Sequence, residues 1–198
     1  MITSMKSILS IVSAFIISFS LSAQTFNVSK DNSTIDWKAA KVSGEYFGKV
    51  NIKSGSLKFK NDLLTSGEFT VDMPTITVEN IQGEWADKLK GHLNSEDFFS
   101  TAKFKEAKLV TKSVKSTGTN QYEVTANLTI KGITKEVVFP ASLSVEGNNV
   151  QGKASIKIDR TKYDIKYGSG SFFEGLGDKM IYDEFTLDVN LIGMKAGN

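Results

Sequence analysis

The 198-residue chain has no cysteine, one histidine and two prolines. Without cysteine no disulfide can staple the fold, so its stability must come from an ordinary core. No lipid can be attached to a cysteine either, which excludes a lipoprotein anchor of that kind. One histidine and no thiol cannot assemble an ordinary zinc site. His92 also has no motif around it that would make it a catalytic base. An excess of one charge is missing too: 24 basic residues face 22 acidic ones. Lysines and acids alternate along the chain, which is not the footprint of a nucleic-acid binder.

Other signals have bland explanations. The glycines from Gly168 to Gly177 do not follow a strand and open a helix, so they read as turn material rather than a phosphate cradle. Asp159-Arg160 could meet an anion, but a helix start or local ion pair explains it more cheaply. Asp87, Glu96 and Asp97 form an acidic rim that reads as a solvated face before it reads as a calcium site. The longest apolar run, Ile8 to Leu21, is interrupted by serines and shorter than the about 20 residues of a membrane helix. Lys6 precedes it and Leu21-Ser22-Ala23 ends it, the layout of a secretory leader. Residues 1–23 are therefore expected to be a cleaved signal peptide and 24–198 a single exported domain, large enough for a real core.

What the chain does have is alternation. Tyr122, Val124, Ala126, Leu128 and Ile130 are apolar at every second position, with polar residues between them. After Lys131-Gly132, Ile133, Val137, Phe139, Ala141, Leu143 and Val145 share one parity. Period two marks strands with one dry and one wet face, and the short glycine break predicts a hairpin. The same reading gives strands around Ile35 and Trp37, Val50 and Ile52, Leu57 and Phe59, Phe69 to Met73, Val150 to Ile158, and Phe185 to Leu191. Gly44 and Gly48 are expected to bracket a turn, Gly55 to open a separate strand, and Pro74 to mark an edge or bulge with Ile76 and Val78 extending beyond it. A strand is expected to resume at Ala102 and Phe104 and slip phase near Glu106. Between Gly83 and Asn94 the spacing becomes three-to-four. This predicts a short helix with Trp85, Leu89 and Leu93 facing the sheet. Of the thirteen Phe and two Trp, eleven Phe and both Trp fall in 24–198 and supply an apolar interior that is either packed or holds one small ligand.

Three segments resemble the YceI-like family of periplasmic polyisoprenoid-binding proteins. Gly91 to Phe99 is similar to its HLxSxDFF signature, Leu128 to Pro140 to LTIKGxTKxVxFP, and Ile158 to Gly168 to DRxxFxIxYG. They span most of the expected domain in order. The chain departs from the pattern at Glu45-Tyr46, where many relatives carry His, and before Ala102, where a Tyr-Pro pair is missing. The resemblance implies an all-β fold, a single eight-stranded antiparallel lipocalin-like barrel with one short helix and an aromatic loop at its end. It also implies a non-catalytic periplasmic protein, soluble after cleavage, with no metal and no required cofactor. Its partner would be a long-chain isoprenoid, quinone-like molecule or other apolar lipid; nucleic acid and stable membrane insertion are not expected, and a homodimer stays open. Pattern and resemblance together nominate a lining and lid of Trp37, Phe47, Phe59, Phe69, Val71, Trp85, Leu89, Leu93, Phe98, Phe99, Phe104, Val124, Leu128, Ile130, Phe139, Leu143, Ile158, Tyr163, Ile165, Tyr167, Phe172, Phe173, Leu187 and Val189. The alternatives are a filled barrel that binds another protein through its surface and, with less support, a lipid-modifying enzyme.

Overall fold

A computed structural model describes residues 23–197. The expected leader lies outside the described residues apart from Ala23. Nine strands follow in order: β1 Ala23–Val28, β2 Thr34–Lys41, β3 Gly44–Lys60, β4 Leu63–Asp72, β5 Glu106–Gly118, β6 Gln121–Ile130, β7 Ile133–Glu146, β8 Asn149–Asp159 and β9 Glu184–Lys195, with helix α1 at Glu84–Asn94 between β4 and β5. They occupy eight positions of one closed antiparallel barrel. β1 and β2 share a position, because both pair with β3 on one side and β9 on the other. Pairing of β3 with β4 closes the ring.

The central hairpin follows the alternation closely. Tyr122, Val124, Ala126, Leu128 and Ile130 are all buried, and Ile130 pairs with Ile133 across a two-residue turn. Lys131 and Gly132 both have positive φ, 50° and 74°, the backbone that matches the right-handed twist of the flanking strands. Tight polar turns also join β3 to β4, β5 to β6 and β7 to β8, all at one end of the barrel, hereafter the turn end. The opposite lid end carries α1, the long connection before β5 and the whole segment from Arg160 to Asp183.

The structure departs from several sequence expectations. Gly44 to Gly48 is not a turn, and Gly55 does not begin a new strand. β3 runs unbroken for 17 residues, and the turn falls at Val42-Ser43. The glycines serve close approach instead. A Cβ on Gly48 would overlap the Thr77 carbonyl and come within 2.9 Å of Trp37 Nε1. β4 stops at Asp72 and Pro74 opens a 3-10 turn, Met73–Thr75, so Ile76 and Val78 do not extend the strand. Thr77 and Glu79 instead donate their amides to the Lys49 and Phe47 carbonyls, covering the edge of β3 that β4 has left. β5 begins at Glu106 after turns, so Ala102 and Phe104 are not in a strand, and the phase slip comes later, between Thr111 and Ser113. β1 has no counterpart in the sequence reading; its fully buried Phe26 meets Phe59 edge-to-face at 5.5 Å. Gly48→Ala is expected to cost about 1–3 kcal/mol, because the overlap is with backbone that cannot rotate away. Urea denaturation checks it.

The wall is incomplete at one seam. β7 pairs with β8 only from Ala141 to Glu146. Pro140, which has no amide to donate, is the last residue before that pairing starts. Towards the lid end β7 and β8 part. The chain after β8 turns here through a 3-10 segment, Arg160–Tyr163, in contact with β7. Tyr163 and Ile165 are buried there.

Candidate functional site

The inward faces of the strands leave an elongated cavity of about 180 Å³ inside the barrel. Its walls run from Leu57, Leu64 and Leu143 near the turn end to Phe98, Ile130 and Ile181 at the lid end. Polar lining is sparse. The Thr111 hydroxyl already accepts the Gly67 amide at 3.0 Å. Lys108 and Lys153 lie on solvent-exposed positions of their strands. The remaining charged lining residue is Arg160, which is buried and fully engaged.

Arg160 organises the lid end. Its Nε donates to the Tyr182 carbonyl at 3.1 Å, Nη1 to those of Ile165 at 2.8 Å and Tyr167 at 2.9 Å, and Nη2 to that of Ile181 at 2.9 Å. Asp183 supplies the countercharge at 3.4 Å. Burial pushes the guanidinium's pKa down, against Asp183 and Asp159, which raise it. The Asp183 carboxyl lies below its ordinary value. Its partial burial works the other way, but hydrogen bonds from Ser169 and Ser171 and the charge of Arg160 outweigh it. Asp159 caps the 3-10 turn by accepting the Thr161 amide at 2.9 Å and hydroxyl at 2.6 Å. The Asp159-Arg160 pair is therefore structural, and no side-chain donor of Arg160 is left to face a ligand.

Of the nominated residues, Trp37, Phe69, Val71, Leu93, Phe98, Phe99, Val124, Leu128, Ile130, Phe139, Leu143, Ile165, Leu187 and Val189 line the cavity. Phe59, Ile158 and Tyr163 are buried in the core without lining it. Leu89 and Phe104 are half-buried and also off the lining. Phe47, Trp85, Tyr167, Phe172 and Phe173 are exposed and do not line the cavity, contrary to a lining role. Phe47 sits on the outward parity of β3, between inward Tyr46 and Gly48. Tyr167, Phe172 and Phe173 belong to a loop, where no period fixes a side chain's direction. Trp85 is 72% exposed because α1 touches the barrel through its last turn, where Leu93 is buried, and not its first. Ile35, Val50, Ile52 and Leu57 also line the cavity, and the alternation had placed them inward without nominating them. Ile181 and Tyr182 join them with no sequence signal. Leu93→Ala should cost about 2–5 kcal/mol, whereas Trp85→Ala should stay within about 0.5 kcal/mol. Paired thermal melts separate the two.

Among the described residues no three His, Cys, Asp or Glu side chains converge to hold a metal ion. His92 packs edge-on against Phe98 at 4.8 Å and Tyr167 at 4.5 Å, and its buried Nε2 has no protein partner. The Tyr163 hydroxyl is likewise buried without a partner, and burial raises its pKa to about 12. It stays neutral at any ordinary pH.

A model of the YceI-like domain matches residues 26–192. A UPF0312 protein of Pseudomonas fluorescens (strain SBW25) is 34% identical over 119 residues, 60% of this chain and 60% of that protein. One from Pseudomonas putida (strain F1) is 29% identical over 168 residues, covering 81% of this chain and 80% of its own. Among solved structures, Burkholderia cenocepacia BcnA superposes with a TM-score of 0.68 at 19% identity, covering 83% of this chain and 98% of its own. A polyisoprenoid binding domain from Saccharophagus degradans gives 0.61 at 12% identity, covering 89% and 100%. At these identities the structures attest the shared barrel.

Proposed function

This chain belongs to the YceI-like family, and from that premise we propose that it is a non-catalytic carrier of a long-chain isoprenoid, quinone-like or related lipid. The observation that carries the reading is chemical. The cavity wall presents apolar side chains along its length, and its one buried cation has spent its donors on backbone carbonyls. Such a wall can reward only a ligand that brings no polar group inside, since an unpaired polar group there would lose its water without compensation. Burying apolar surface is worth roughly 25 cal/mol per Å², so affinity grows with the length threaded. A slender flexible chain suits a long narrow cavity better than a fused ring system does. The Saccharophagus neighbour, described as polyisoprenoid binding, points to the same ligand class.

Native mass spectrometry of protein purified without detergent, with organic extraction in parallel, tests this. An apolar lipid in stoichiometric amount is the expected result. Protein that is empty and takes up no added polyprenol would overturn the reading.

The periplasm is the proposed compartment, from the leader-like residues 1–23. Cleavage after Ala23 would start the exported chain at Gln24, which in β1 pairs with Phe59 of β3, so the barrel would keep its first strand. N-terminal sequencing of exported protein should begin at Gln24; an intact Met1 terminus in the membrane fraction would contradict it.

A further inference from the structure

The outer surface is strongly polarised along the barrel axis. Among the described residues the exposed aromatic side chains are Phe47, Trp85, Tyr167, Phe172, Phe173 and Tyr182, and all six lie at the lid end. The turn end offers polar loops such as Asn61-Asp62 and Thr119-Asn120. Its exposed apolar side chains are Leu63 and Met194, neither of them aromatic. One of these exposed aromatics, Tyr182, also lines the cavity.

From this polarity we infer that the lid end is a docking surface for a lipid bilayer, through which the carrier exchanges its ligand. The inference rests on the lipid-carrier reading above, because cargo without aqueous solubility must be taken from, and returned to, a membrane. The arrangement of the aromatics favours a bilayer over a protein groove. They stand on separate elements around a rim, namely β3, the start of α1, the loop after Ile165 and the approach to β9. Lysines reach across two of the rings: Lys88 Nζ lies 4.9 Å from the Trp85 centroid, and Lys166 Nζ 5.2 Å from that of Phe172. An aromatic ring with an ammonium over its face is an amphipathic pair of the kind the headgroup boundary accommodates.

The projecting loop is built to hold its aromatics out. Arg160 ties down the Tyr167, Ile181 and Tyr182 carbonyls, while the amides of Phe172 and Phe173 both bond the carbonyl of fully buried Ser169. A braced base with two adjacent exposed phenyl rings at its tip is pre-ordered, so insertion loses little further conformational freedom. Charge is not the attraction. Residues 73–105 carry five acids and four bases, Lys131 adds one base, and residues 160–183 carry four of each, so the lid end is balanced. Docking should therefore survive high salt and need no anionic lipid, unlike that of a polybasic surface.

Flotation of the full chain with phosphatidylcholine vesicles is the test, with the lipid content of the same preparation measured by extraction. Wild-type protein should float at low and high salt alike. The double variant F172S/F173S should lose about tenfold or more in partition, given the apolar area withdrawn, while Met194→Ser at the turn end changes nothing. Both Phe residues are exposed, so the variant should keep its melting temperature, which is measured alongside. Equal flotation of wild type and double variant overturns the inference, as does binding that requires phosphatidylglycerol and vanishes in salt. A dimer on size exclusion that F172S/F173S abolishes, without vesicle binding, assigns the face to a second copy and also overturns it. Lipid-loaded protein that ignores vesicles defeats the docking surface alone. Vesicle-bound protein that never holds an apolar ligand defeats the carrier reading alone.

Discussion

Val124→Asp should unfold the protein, while Thr125→Asp, one residue along the same strand, should cost only about 1 kcal/mol. Val124 is buried and lines the cavity. Its cross-strand neighbours are Val114 on β5 and Phe139 on β7, so a carboxylate there finds no cation. An unpaired buried charge costs several kcal/mol, and taking up a proton instead still leaves a buried hydroxyl and carbonyl unpaired. Either cost is comparable with the about 5–15 kcal/mol that holds a domain folded. Leu128 would be a poorer choice for this test, because Lys135 stands directly opposite it and could neutralise an introduced acid. Thr125 projects from the other face, between Ser113 and Val138. Both variants place the same residue in the same strand, so strand propensity cancels and facing remains. Thermal melts and far-UV spectra of the pair decide it. Greater damage from Thr125→Asp would mean that the register of the central hairpin is inverted.

Arg160→Leu should destabilise the fold by about 3–5 kcal/mol and loosen the lid end before the rest of the barrel. Four backbone carbonyls, those of Ile165, Tyr167, Ile181 and Tyr182, would lose their donor. Asp183 would lose its partner at the same time. Leucine replaces the stem's packing, so the loss reports on the guanidinium. Arg160→Lys should recover only part of it, because an ammonium has three donors and no planar fork to span four acceptors. Limited proteolysis should then cut between Tyr167 and Ile181 in both variants, with the strands protected. If Arg160→Lys were as stable as wild type, the carbonyl cluster would not be what holds the loop.

These two predictions differ in how far the sequence alone supports them. The facing of Val124 was legible, because an amphipathic strand writes its orientation into a period of two and the barrel interior enforces it over whole strands. The Lys131-Gly132 turn was legible for a related reason: a two-residue hairpin needs positive φ, and few sequences offer it. The three-to-four spacing from Trp85 to Leu93 located α1, and Asp159 announced the 3-10 turn that it caps. In each case local chemistry and tertiary contacts ask for the same thing.

Tertiary structure decided what local chemistry leaves ambiguous. Glycine suits both a turn and a close approach, and only the Thr77 segment lying over Gly48 shows which applies in β3. Helical spacing gives the apolar stripe of α1 but not how much of the helix meets the barrel, so Leu93 is buried and Trp85 is not. In the segment from Tyr163 to Phe173 no period exists, so the directions of its aromatics follow from backbone anchoring alone. That anchoring is Arg160 on main-chain carbonyls, and carbonyls carry no side-chain identity. The alternation written in the strands therefore determined the dry barrel, and the mutual packing of its ends determined which side chains close it and which are left facing out.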